Sequence, residues 1–187
     1  MKNNTYLGET KEKRLKRFQN GPPYEVIATL LNSIGNFFNN EIALTVQKEN
    51  YQTSLLLLGI HSVALTISEG LFNKQGPEGY KLFLEKFVDG DTADTRFSNI
   101  AQSIHDWRNV IAHQWIGSIG HTIGYDYEMP FGWEIREDTT FLNPKIYLEY
   151  YLKAFGPGGK IWNWESILNE GEKEAAKQRL IKKYLER

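Results

Sequence analysis

The sequence predicts an all-α fold, a helical bundle carrying a small β-hairpin insertion, and three observations predict it. Apolar residues from Tyr24 to Glu49 recur at helical spacing, and Tyr51 to Asn73 is apolar on nearly all sides, as a central buried helix would be. One later stretch, Tyr125 to Ile135, alternates strictly instead. The 187 residues fit a single domain, 1–187, with no linker long enough to separate two.

Composition narrows the class. With 41% hydrophobic and 13% aromatic residues, a sizeable core can form, which excludes disorder and low-complexity classes. A net charge of −1 supplies no global field for nucleic acid or anionic membrane, so any polyanion site must be local. Cysteine is absent, which removes disulfides, thiol nucleophiles, Fe–S clusters and Cys-based zinc sites. Met1 to Gln19 is polar and charged, without the apolar region of a secretory signal. The longest apolar stretch, Leu55 to Ile67, is interrupted by His61 and Ser62 and falls short of the roughly 20 residues of a membrane span. A soluble, cytoplasmic protein is expected.

The elements follow in order. Glu9 to Arg17 is a short basic arm or helix, broken by Gly21-Pro22-Pro23. In the next helix Val26, Ile27, Leu30, Leu31, Ile34, Phe37 and Phe38 form one face, and this helix and the buried one after it are expected to be antiparallel neighbours. Gly76-Pro77 separates them from a shorter helix over Tyr80 to Val88. Asp91 and Thr92 read as helix caps rather than a calcium loop, because the acidic spacing and terminal Glu are missing. A helix from about Ala93 to Gly117 carries Phe97, Ile100, Ile104 and Ile111 on one flank. After a loop from Gly117 to Gly124, the alternation Tyr125, Tyr127, Met129, Phe131, Trp133, Ile135 predicts a hairpin turning at Pro130 and Gly132 with one apolar face. Asn143-Pro144 starts a helix that Gly156-Pro157-Gly158-Gly159 stops. A charged terminal helix begins near Asn163 or Trp164.

The familiar catalytic signatures are missing. There is no His-Glu-x-x-His zinc helix, no Gly-x-Ser-x-Gly elbow, no dinucleotide glycine fingerprint, and the glycines before Lys160 do not fit a phosphate loop. No metal and no cofactor are therefore expected. Of the four histidines, His105, His113 and His121 cluster. At ~100° per residue, His105, Asn109 and His113 fall within an arc of roughly 80° on one flank of their helix, opposite its isoleucines. Arg108 lies roughly 140° around from His113, within reach of its long side chain or of a second subunit.

The run Arg108-Asn109-Val110-Ile111-Ala112-His113 resembles the signature of the HEPN superfamily, the higher-eukaryote and prokaryote nucleotide-binding domains. There an Arg, a polar residue, a short spacer and a His lie on a late helix of an α-helical bundle. The order of elements extends the resemblance over 24–117, leaving the hairpin (118–142) and the carboxy-terminal helices (143–187) as elaborations. The resemblance implies a metal-independent endoribonuclease acting on RNA at a composite site in a homodimer, in a toxin or defence setting that leaves room for an antitoxin or nucleotidyltransferase partner. It assigns catalysis to Arg108, His113 and Asn109. His113 can serve as base or acid, Arg108 can grip the phosphate, and Asn109 can hold either the imidazole or the phosphate.

Blander readings stand beside it. Asn109 and His113 can bond each other across one turn, and Arg108 can pair with Asp106 or Glu69 to hold the bundle. His105 and His121 read as structural or solvent-facing, although His105 can also line the groove, and Glu69 can orient Arg108. His61 reads as a core histidine bonded to Ser62 or to backbone. The other classes of function are a non-catalytic nucleotide- or RNA-binding module and a structural interaction protein.

Overall fold

The structure, a computed structural model, describes residues 9–46, 53–114 and 123–186, with the side chains of 45, 46, 53, 113 and 114 outside that description. It is an all-α helical bundle with a small β insertion. The expected loop from Gly117 lies outside the described residues as far as residue 122, and so does His121.

The basic arm is a helix, α1 (Lys11–Asn20), whose N-cap Thr10 accepts from the Lys13 amide at 3.3 Å. It is docked rather than solvated. Phe18 is buried, and Arg17 bonds both Glu9 and Glu25, so part of the basic charge is spent inside the fold. Helix α2 (Pro23–Phe37) runs on through a π-helical turn (Phe38–Ile42) and a 3-10 turn (Ala43–Val46). Its main neighbour is the terminal helix α8 (Glu170–Tyr184), and it and its π-helical turn also touch the buried helix α3 (Thr53–Phe72) beside which the sequence placed it. Helix α3 packs chiefly on α4 (Gly76–Phe83), with α5 (Ala101–Gln114) and α8 on its other sides.

The stretch Ser54–Phe72 has a mean hydropathy of 1.7 over 19 residues, long and apolar enough by that measure to cross a membrane, contrary to the reading that stopped it at Ile67. Its place at the centre of the bundle accounts for that composition. Ile60, Ala64 and Ile67 are fully enclosed, as is His61.

The helix expected over 93–117 begins later. Two 3-10 turns, Ala93–Thr95 and Phe97–Ile100, lead into α5, and Asp89 caps the second by accepting from the Ser98 amide (3.0 Å) and hydroxyl. The insertion is a three-stranded sheet, β1 (Ile123–Tyr125), β2 (Trp133–Arg136) and β3 (Thr139–Leu142), in the order β1-β3-β2. Strand β3 is central, parallel to β1 with Ile123 opposite Thr140, and antiparallel to β2 with Trp133 opposite Leu142. The hairpin therefore turns at Glu137-Asp138, with Glu137 at φ 55°, and not at Pro130 and Gly132. Nor do the six alternating residues share one apolar face: Met129 is buried while Ile135 is 61% exposed.

Asn143 joins sheet to helix. Its side chain accepts from the Lys145 and Ile146 amides at the start of α6 (Pro144–Phe155) and donates to the Met129 carbonyl at 2.7 Å. After the short α7 (Trp164–Ile167), Asn169 and Glu172 form a reciprocal capping box that opens α8. One buried core takes side chains from Phe18 in α1 through to Ile181 in α8. Within it Phe38 stacks on Phe155 at 4.4 Å, an arrangement worth about 1 kcal/mol beyond area burial.

Candidate functional site

Helices α3 and α5 lie side by side, and their contact brings together residues that the sequence set 44 positions apart. His61 Nε2 and His105 Nδ1 are 2.9 Å from each other. His61 is completely enclosed, with the Tyr80 ring from α4 against its own at 4.3 Å. The expected partners, Ser62 or backbone, are not used: the Ser62 hydroxyl donates to the Leu58 carbonyl, and His61 Nδ1 has no hydrogen-bond partner among the described residues. Burial first, and then the charges of His105 and Arg108, push the His61 pKa down to about 3. His105, half-buried, is also lowered, by burial first and by Arg108, while Asp106 pulls it back up. Near pH 7 both rings are uncharged.

Arg108 follows one turn after His105. It is partly buried, its Nη1 donates to Asn109 Oδ1 at 2.9 Å, and its Nε is buried with no acceptor among the described residues. Among the described residues it has no carboxylate partner. The two carboxylates proposed to hold it are otherwise engaged: Asp106 accepts from Gln102 at 2.8 Å, and Glu69 accepts from Lys183 and from Gln75 at 2.7 Å. Glu69 thus belongs to a contact between α3 and α8, and its role as orienter of Arg108 is corrected. A guanidinium held half out of water without an anion is costly, because burial weakens its hydration while nothing replaces the missing charge. The local chemistry of α5 therefore favours an incoming anion.

Asn109 is bonded to Arg108, which leaves its amide NH₂ as a further donor on the same face. His113 stands on the last turn of α5, five residues past Arg108, and its side chain lies outside the described residues. Regular helix geometry puts its Cα about 12 Å along the axis from that of His105.

The other flank of α5 is structural. The Trp107 indole N–H donates to the Tyr125 hydroxyl of β1, and the two rings meet edge to face at 6.3 Å. Burial raises the Tyr125 pKa to about 12, so it stays a neutral anchor. The sheet is thereby clamped to the helix that carries Arg108. Among the described residues no group of three or more His, Asp or Glu side chains is placed to hold a metal ion.

Sequence reasoning placed Arg108, Asn109 and His105 on one helix and missed His61. The only signal was a histidine in the most apolar segment of the chain, facing a second helix that also carries one. Fold and site together define a helical-bundle protein with an arginine–histidine stripe. Comparison with known protein families, with curated proteins and with solved structures finds nothing that matches this chain.

Proposed function

We propose that this protein is a HEPN-like, metal-independent endoribonuclease that cleaves RNA through attack by the 2′-hydroxyl, acting as a homodimer. The observation that carries the reading is Arg108: partly buried, without a carboxylate partner among the described residues, on the helix that also bears Asn109 and His113. Phosphodiester cleavage needs such a group, because the pentavalent phosphorus gathers negative charge on its non-bridging oxygens as it forms. A guanidinium answers it with two hydrogen bonds.

The proton bookkeeping needs two further groups. One removes the 2′-proton as the P–O2′ bond forms, and the other protonates the 5′-oxygen as the P–O5′ bond breaks. The products are a 2′,3′-cyclic phosphate and a 5′-hydroxyl. His113 suits either role near neutral pH, but one imidazole cannot fill both in a single step. Two copies of α5 facing each other across a two-fold axis supply the second. A toxin or defence role, an antitoxin or nucleotidyltransferase partner and a cytoplasmic setting belong to the same reading.

The test is cleavage of mixed RNA in EDTA by wild type, Arg108→Ala and His113→Ala, with folding and dimerisation measured in parallel. Wild type is expected to leave cyclic-phosphate ends, and each folded variant to lose at least about 10²-fold in rate. Inert wild type, or variants that cut equally well, would overturn the assignment. RNA binding without turnover would instead make the protein a binding module on the same helix.

A further inference from the structure

We infer that His105 is a binding residue that donates a hydrogen bond from Nε2 to a phosphodiester oxygen of RNA beside Arg108, and that buried His61 is the positioning residue that fixes this proton. The inference rests on reading α5 as the helix that meets RNA, and it adds to that reading a contact outside the Arg108–His113 motif.

The argument starts from the orphaned nitrogen of His61. A neutral imidazole carries one N–H and one lone pair. Were the proton on Nδ1, the core would enclose an N–H with no acceptor, which folded proteins avoid more strictly than an unfilled acceptor. The proton therefore sits on Nε2 and is donated across the 2.9 Å to His105 Nδ1. His105 Nδ1 is then the acceptor, and His105 must carry its own proton on Nε2. That atom has no bond among the described residues and is not sealed from solvent as His61 Nδ1 is. The buried ring thus dictates which nitrogen the half-exposed ring presents, and it presents a donor.

The neighbours on that turn match it. Arg108 and Asn109 stand three and four residues further on, the positions adjacent to His105 on a helix surface. Because Asn109 Oδ1 is taken up by Arg108, what remains on offer is the Asn109 NH₂, the rest of the guanidinium and His105 Nε2–H. All are donors. The neighbouring acid Asp106 is exposed and engaged by Gln102. A surface of donors around one permanent cation suits the oxygens of a phosphodiester. His105 thus serves as a binding donor, and proton transfer is left to His113.

The experiment has two arms. Long-range ¹H–¹⁵N correlation spectra of the histidine rings in the wild type at neutral pH read the tautomer directly, with no variant that must fold. The expected result is a protonated Nε2 and a bare Nδ1 on both His61 and His105. The second arm measures binding of a mixed-sequence single strand of 2′-O-methyl RNA, which cannot be cut, to wild type, His105→Ala and His105→Gln. His105→Ala should bind about tenfold more weakly, the worth of one hydrogen bond to a charged group, whereas His105→Gln, whose amide N–H reaches a similar position to Nε2, should stay within about threefold. A proton on His105 Nδ1, unchanged binding by His105→Ala, or a wild type that does not bind this RNA would overturn the inference. A wild type that binds it yet leaves the unmodified strand whole would sink the ribonuclease and not the His105 contact.

Discussion

At the scale of single residues, the buried histidine of α3 makes the fold sensitive to acid. His61 is neutral when folded, with a pKa near 3, and takes up a proton near its ordinary value of about 6.5 once unfolded. Its folded pKa is the lower of the two. The unfolded chain therefore holds the extra proton between those values, and stability is fully present above about pH 6.5 and falls as pH drops toward 3. From pH 7 to pH 5 the loss should be on the order of 2 kcal/mol. His105, lowered for the same first reason, adds a loss of the same sign. The carboxylates lowered by arginine bonds, Glu9 by Arg17 and Asp126 by Arg136, titrate below that window and do not obscure it. Urea unfolding at pH 7 and pH 5 checks this. His61→Leu should shrink the wild-type difference by about half or more, and an undiminished difference would rule out His61 as its source. Arg108 and Asn109 were legible at this scale because a helix fixes the angles between its own residues. The His61–His105 contact was not, because it depends on how two helices face each other.

At the scale of elements, Asn143 does two jobs that chemistry can separate. Its Oδ1 caps α6, and its amide donates to the buried Met129 carbonyl at the entry to the sheet. Asn143→Ala loses both and should cost about 2–3 kcal/mol, while Asn143→Asp keeps the cap and should cost about 1–2. Asn169→Ala removes only an exposed capping box at α8, and about 1 kcal/mol is expected. Denaturant midpoints rank the three, and an Asn143→Ala no worse than Asn169→Ala would show that the Met129 bond adds nothing. The same residues explain which elements the sequence made plain. Asn143-Pro144 and Gly156-Pro157 mark the two ends of α6 because capping and the proline ring act locally. The hairpin was misplaced because alternation and a Pro-x-Gly stretch mimic two strands and a turn. In the fold, Asp126 accepts from the Glu128 and Met129 amides and curls that segment into a loop. The actual turn, Glu137-Asp138, contains no glycine and puts a glutamate at positive φ, which composition does not announce.

At the scale of the whole molecule, the carboxy-terminal helices are part of the bundle that bears the site. Helix α8 covers α2 and α3 with Ala176, Leu180 and Ile181. Lys177 donates to the Gly21 carbonyl at 2.8 Å, and Arg179 reaches the carbonyls of Gly70 and Leu71 at the end of α3. A chain ending at Leu168 would uncover the apolar sides of both helices and leave those carbonyls without partners. It should lose cooperative unfolding, and retained cooperativity would mean that 24–117 needs no such cover. The sequence pattern marked this segment only as a charged terminal helix, because its apolar side is narrow and the depth of its packing depends on partners far away in the chain. Activity makes the second demand on the whole. If the proposed ribonuclease builds its site from two copies of α5, that site exists only in the dimer, and dilution through the dissociation constant should lower activity per chain in step with the fraction of dimer. Sedimentation and cleavage rates over one dilution series test this. A rate per chain that stays constant while the dimer dissociates would place base and acid within a single protomer and overturn the composite site.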